Sequence, residues 1–162
     1  MRISVVTFPG SNCDHDAYRV CQSRGHQTKL IWHKDTNLEN PDLVILPGGF
    51  SYGDYLRCGA LARFSPIVKE VIAFARKGGL LLGICNGFQI LTECGLLPGT
   101  LLMNASLHFI CQHQFVRVET AASPFTTGIG KGRILDLPIA HKEGNFYIES
   151  DGLKQLQDND QI

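Results

Sequence analysis

The stretch Gly79-Leu-Leu-Leu-Gly-Ile-Cys-Asn-Gly-Phe-Gln89 limits the possible folds more than any other part of the chain. An apolar run of strand length breaks at a turn containing Gly83, Cys85 and Gly87, and the residues after it return to a helical period. A Gly-x-Cys-x-Gly turn between strand and helix permits a strained backbone that lifts one side chain above a sheet. A chain built around such a turn is an α/β protein, and Cys85 is its candidate nucleophile.

The preceding residues supply the rest of a parallel sheet. Residues 2–8 form a β-branched run closed by Pro9-Gly10, and the Ser-Asn-Cys-Asp that follows can cap a helix. The pattern predicts a helix over 14–24, with Ala17, Val20 and Cys21 on one side, and a second strand over 29–33. Leu43-Val44-Ile45-Leu46 reads as a strand covered on both faces by helices. Directly after it stands Pro47-Gly48-Gly49-Phe50-Ser51-Tyr52-Gly53-Asp54. A Gly-Gly pair alone is most often a tight turn, but at the carboxyl end of a central strand it also lets backbone N–H groups approach a ligand. Apolar residues at 67, 68, 71, 72 and 75 predict a helix over 67–76, ahead of a strand over 80–84 and a helix over 87–94. Beyond Pro98-Gly99 the pattern changes to short strand-like pieces at 101–103, 109–111, 115–118 and 134–135, read as antiparallel strands added to the parallel core, and a short helix is expected over 151–157.

Composition narrows the function classes. With 162 residues, 44% hydrophobic and 19% charged, the chain suits one globular domain with a real core. Its formal net charge of zero, without a Lys/Arg block, gives no footprint for nucleic acid or an anionic membrane. No apolar run approaches about 18 residues and no export signal follows Met1, so a cytosolic location is expected. The six cysteines form no C-x-x-C pair and are read as free thiols, and the six histidines lack zinc-binding spacing, so no metal site is expected.

A thiol attacks as thiolate, and at an unperturbed pKa of about 8.5 it needs help at neutral pH. The N-terminal end of the helix after Cys85 is one source, and a histidine oriented by a carboxylate is the other. Two backbone N–H groups are also required for a developing oxyanion: that of Asn86 and one from the Gly48-Gly49-Phe50 loop.

Pro47-Gly-Gly-Phe-Ser-Tyr-Gly-Asp-Tyr-Leu-Arg-Cys-Gly-Ala together with Gly83-Ile-Cys-Asn-Gly-Phe-Gln-Ile-Leu closely resembles the class I, triad-type glutamine amidotransferases. Within them it resembles the glutaminase subunits of phosphoribosylformylglycinamidine synthase. Pro9-Gly-Ser-Asn-Cys-Asp, Asn104-x-Ser-x-x-Phe-Ile-Cys and Ala140-His-x-Glu-Gly-Asn-Phe-Tyr extend the resemblance along the whole chain, as one amidotransferase domain over 1–162. The resemblance implies a flavodoxin-like open parallel sheet with helices on both faces. It implies that Cys85 attacks glutamine, with Gly49 and Asn86 forming the oxyanion hole and Gln89, Asn104, Ser106 and Phe109 belonging to the glutamine pocket. The implied partners are a large synthetase subunit, which uses the ammonia together with ATP and Mg, and a small accessory subunit; no cofactor is implied in this chain.

One motif of the family is not present. Its triad histidine and glutamate occupy a His-Pro-Glu sequence, which does not occur in these 162 residues. The resemblance therefore implies a C-terminally incomplete domain whose triad His and Glu lie beyond Ile162. His141-Lys142-Glu143 has the same H-x-E spacing and is a triad candidate on spacing alone. Its position instead matches a separate family motif, expected at the ammonia path or subunit interface, and Lys142 stands where the family usually has glycine. Two other readings compete: a cysteine-elbow relative of another reaction type, and a non-enzymatic docking or regulatory remnant that lacks its base.

Overall fold

The four apolar runs of the N-terminal hundred residues become β1 (Arg2–Thr7), β2 (Gln27–Trp32), β3 (Leu43–Leu46) and β4 (Leu80–Gly83), all parallel, in the order β2-β1-β3-β4. The structure is a computed structural model and describes residues 1–162. Between the strands lie α1 (Asp14–Ser23) and α2 (Pro66–Arg76), and β4 runs through the elbow into α3 (Asn86–Glu93). Single 3-10 turns at Ser51–Asp54 and Ala62–Phe64, which carry no periodic sequence signal, fill the long connection between β3 and α2.

Alternation along the strands sends side chains to two cores. Ile3, Val5 and Ile45 face Ala17 and Cys21 of α1, whereas Val6, Val44 and Leu46 face Ile67, Val68 and Val71 of α2 and Ile90 and Leu91 of α3. Each such side chain contributes about 1.5–3 kcal/mol on burial. The expected helical stripe of α1 is narrower than the sequence suggests. Ala17 and Cys21, four residues apart, meet the sheet, while Val20 lies about 100° before Cys21 around the helix and is exposed.

Because α1 covers one face and α2 and α3 the other, the strand order reverses between β1 and β3. The carboxyl ends of the strands at such a reversal are where ligands bind in open α/β sheets. The loops leaving β1 and β3 meet at this point, and Ser11 and Gly49 form an isolated antiparallel bridge.

Met1–Thr100 forms one compact unit and Leu101–Ile162 a second. In the second, β6 (Ile110–Arg117) pairs antiparallel with β7 (Ile134–His141), Ile110 opposite His141 and Arg117 opposite Ile134. β5 (Thr100–Leu102) pairs with β8 (Asn145–Tyr147), and α4 (Ser150–Asp158) follows. These strands pair among themselves instead of extending the parallel sheet. The two pieces expected at 109–111 and 115–118 are a single strand. Gln112, His113 and Gln114, which look like a turn in sequence, pair with Ile139, Pro138 and Leu137.

Candidate active site

The elbow is built by close backbone packing. Cys85 has φ 50° and ψ −108°, outside the ordinary regions for a residue with a side chain, and it immediately precedes α3. Such a conformation costs about 1–3 kcal/mol and persists only where its surroundings impose it. Gly83 and Gly87 impose it here. A β-carbon on Gly83 would lie 2.9 Å from the Gly87 carbonyl group, and one on Gly87 would lie 1.9 Å from the Leu46 carbonyl oxygen. The Ile84 N–H continues the β3–β4 ladder by donating to Leu46 O at 3.0 Å, and the Gly87 N–H donates to Ile84 O at 2.8 Å. The turn thus holds the Cys85 side chain at the exposed end of the sheet.

The loop after β3 lies beside it. Gly48 sits between two thiols: a β-carbon there would be 3.6 Å from Cys85 Cβ and 3.5 Å from Cys13 Sγ. In the bridge to the first loop, Phe50 N–H donates to Gly10 O at 3.0 Å and Cys13 N–H to Gly48 O at 3.3 Å. The flanking residues make these bonds, so the Gly49 N–H takes no part in that pairing. Gly49 has φ +145°, and a β-carbon on it would meet the Ser11 and Asn12 backbone at 2.8 Å, so no other residue fits.

Asn86 ties this loop to the elbow. Its buried carboxamide oxygen accepts from Ser51 N–H at 3.2 Å, and its Nδ2 donates to Asp54 Oδ1 at 3.2 Å and to Gln89 Oε1 at 3.0 Å. Further along, Arg57 grips Glu93, at the end of α3, through two bonds of 2.6 and 2.8 Å. The connection is therefore pinned to both ends of the helix that follows the nucleophile. A second anchor is buried: the Tyr52 hydroxyl stands 2.7 Å from His33 Nδ1 and 2.9 Å from Ser65 Oγ.

Electrostatics around Cys85 favour the thiol over the thiolate. Burial pushes its pKa above the ordinary 9.0, the Asn86 N–H works against that by hydrogen bonding to the sulfur, and the neighbouring Cys13 and Asp54 raise it further. A thiol held in that form attacks most readily with a general base to take its proton. Burial raises the Cys13 thiol as well, with Asp16 and Asp14 adding to it. Burial pushes Cys94, packed against the core behind the elbow, up to about 11. No group of three or more His, Cys, Asp or Glu side chains is arranged to hold a metal ion, and no helix is long and apolar enough to cross a membrane.

The structure brings Cys85, Asn86, Gly49 and Gln89 together in the first unit. Gln89 is buried, with its oxygen turned to Asn86. Asn104, Ser106 and Phe109 belong to the second unit. Asn104 is buried and organises a turn: its Nδ2 donates to the carbonyls of His108 at 2.9 Å and His141 at 3.0 Å, and its Oδ1 accepts the Gly144 N–H at 3.0 Å. Ser106 Oγ accepts the His108 N–H at 3.3 Å, and Phe109 is half exposed. His141 Nδ1 is 3.1 Å from Asn104 Oδ1, and its ring lies where a Gly144 side chain would otherwise be. Sequence reading missed Cys13, the Asn86 side chain and the His33–Tyr52–Ser65 cluster, whose members are far apart in sequence and follow no spacing rule.

A strained cysteine turn at the carboxyl end of β4, beside the glycine loop that leaves β3, is the kind of arrangement that nucleophilic attack on an acyl group uses. The chain belongs to the CobB/CobQ-like glutamine amidotransferase domain family, whose sequence model matches residues 1–162. It is 53% identical to the phosphoribosylformylglycinamidine synthase subunit PurQ of Salinibacter ruber, over 99% of this chain and 69% of that one. To the PurQ subunit of Synechococcus sp. strain JA-2-3B'a(2-13) it is 56% identical, over 100% of this chain and 72% of that one. Among solved structures it superposes on the PurLQS structure from Thermotoga maritima with a TM-score of 0.87 and 47% identity, covering 92% of this chain and 70% of that one. A glutamine amidotransferase from Thermotoga maritima shares the fold, with a TM-score of 0.62 at 18% identity, over 91% of this chain and 63% of that one. This placement favours the amidotransferase reading over an elbow protein of another reaction type and over a docking remnant.

Proposed function

We propose that this chain is the glutamine-hydrolysing component of a phosphoribosylformylglycinamidine synthase and acts through Cys85. The observation that carries the reading is the strained elbow: Cys85 at φ 50° and ψ −108°, directly ahead of α3 and packed against Gly48. The Cys85 sulfur attacks the side-chain amide carbon of glutamine, and the oxyanion that forms is received by the N–H groups of Gly49 and Asn86. Each such donor is worth about 2.7–4 kcal/mol of barrier. The C–N bond then breaks with proton transfer to nitrogen, releasing ammonia and leaving a glutamyl thioester. Water cleaves the thioester to glutamate and restores the thiol.

The proton must pass through a base. His33, the buried histidine of the first unit, already engages Tyr52 and Ser65 through Nδ1, and His141 engages Asn104. The role is assigned to the histidine of the family's His-Pro-Glu motif, which is not among these residues. Gln89 is proposed to belong to the glutamine pocket; in the second unit Asn104 holds the turn that carries Ser106 and leads to Phe109, its own carboxamide being engaged. The ammonia is taken up by a large synthetase subunit that uses ATP and Mg to convert formylglycinamide ribonucleotide to the amidine, with a small accessory subunit in the same cytosolic complex.

Replacing Cys85 by Ala in the assembled complex tests the reading. Glutamine-dependent synthesis is expected to disappear while ammonia-dependent synthesis continues; loss of both would contradict the transfer of ammonia between subunits.

A further inference from the structure

The loop that carries Gly49 follows a path its residues would not adopt alone. Gly49, Tyr52, Gly53 and Asp54 have φ of 145°, 56°, 69° and 52°, so two residues with side chains sit in the left-handed region in succession around a glycine. Such a path is held by its contacts. Three backbone bonds attach it to neighbouring loop and helix: Phe50 N–H to Gly10 O at 3.0 Å, Ser51 N–H to Asn86 Oδ1 at 3.2 Å, and Tyr52 N–H to Pro9 O at 2.6 Å. The Tyr52 side chain reaches beyond them into the scaffold. Its hydroxyl meets His33, which directly follows β2, and Ser65, which directly precedes α2. Both are buried, at 5% and 4% exposure, and Ser65 Oγ is also 3.3 Å from His33 Nδ1. The His33 and Tyr52 rings meet edge to face at 5.6 Å, and Tyr52 packs against the larger core.

The bonding fits a neutral imidazole. With Nδ1 as acceptor, the Tyr52 O–H donates to His33 and the Ser65 hydroxyl donates to the Tyr52 oxygen. Burial and then the Lys34 ammonium lower the His33 pKa, with Asp35 acting against them, a direction that agrees with the neutral form.

We propose that the Tyr52 hydroxyl, held by His33 and Ser65, is a positioning group that sets the Gly49 N–H for the oxyanion, an inference that rests on the glutaminase reading above. An oxyanion donor must stand about 2.7–3.1 Å from the developing charge, so a small drift of the loop weakens transition-state binding more than substrate binding. Tyr52 touches no reacting atom; it acts through Gly49.

Tyr52→Phe removes the hydroxyl and keeps the ring. In the full synthase complex it is expected to lower glutaminase kcat by about tenfold, a fraction of the 10²–10³ lost when a donor is deleted, with KM for glutamine changed by less than about twofold. Alkylation of Cys85 by iodoacetamide, which needs no oxyanion donor, is expected to proceed at the wild-type rate. Ser65→Ala removes one partner of the hydroxyl and is expected to give a smaller fall with the same kcat-only pattern; it decides the matter if Tyr52→Phe does not fold. Wild-type kcat in the variants overturns the proposal, and so does a parallel loss of kcat and alkylation, which marks a merely structural role. A wild-type complex that neither hydrolyses glutamine nor is labelled at Cys85 by a diazo ketone analogue overturns the glutaminase reading itself, whereas a working wild type with unaffected variants overturns the positioning role alone.

Discussion

The α-carbon of Gly87 lies so close to Leu46 that a β-carbon would stand 1.9 Å from the Leu46 carbonyl oxygen and 2.6 Å from its carbon. The obstacle is main chain of a central strand, which no rotamer change can move aside. Contact at this point sets how closely α3 approaches β3, and therefore where Cys85 stands.

Gly87→Ala is accordingly expected to destabilise the first unit by more than about 4 kcal/mol, the range reserved for core clashes. The loss should appear as insoluble protein or a collapsed thermal transition. A melting temperature close to wild type would show that the strand and helix separate at little cost.

The Cys85 thiol is raised above 9.0, first by burial, with opposition from the Asn86 N–H and additions from Cys13 and Asp54. Only the thiolate alkylates, so in the 162-residue chain the rate at Cys85 is expected to go on rising beyond pH 9.0. Cys13→Ser removes one of the groups that disfavour the thiolate, and the midpoint should move down. Rates followed by peptide mass spectrometry across pH check both statements; a midpoint below that of a free cysteine peptide would mean that the helix end outweighs burial.

Glu93 keeps only 5% of its side chain exposed, while its partner Arg57 is 54% exposed. Replacing Arg57 by Met leaves that carboxylate without its two strong donors. A loss of about 1–3 kcal/mol is expected, read as a lower urea midpoint. An unchanged midpoint would mean that the loop holds α3 without this pair.

Much of this architecture is visible in the residues. The runs 2–7, 43–46 and 80–83 have no polar residue beyond Arg2, Ser4 and Thr7, and strands covered on both faces are apolar in this way. The elbow is visible because Gly83 and Gly87 are demanded by contacts within a few residues or one strand away. Strand β6 was obscured because it is exposed along almost its whole length, so no apolar alternation marks it and only pairing with β7 defines it. The supports of the site were hidden for another reason. Asn86 reaches Ser51 across 35 positions and Tyr52 reaches His33 across 19, and hydrogen bonds of that span leave no local pattern. The catalytic base lies outside what spacing can identify: His141 has the H-x-E spacing, yet its ring is tied to Asn104.

The most direct test of the account is covalent. A diazo ketone analogue of glutamine, added to the assembled synthase complex proposed above, should form one adduct, on the peptide containing Cys85, in parallel with loss of glutamine-dependent synthesis. Excess glutamine should protect, and Cys85→Ala should abolish the label. An adduct on Cys13 or another cysteine, or full inactivation with Cys85 unmodified, would contradict Cys85 as the nucleophile.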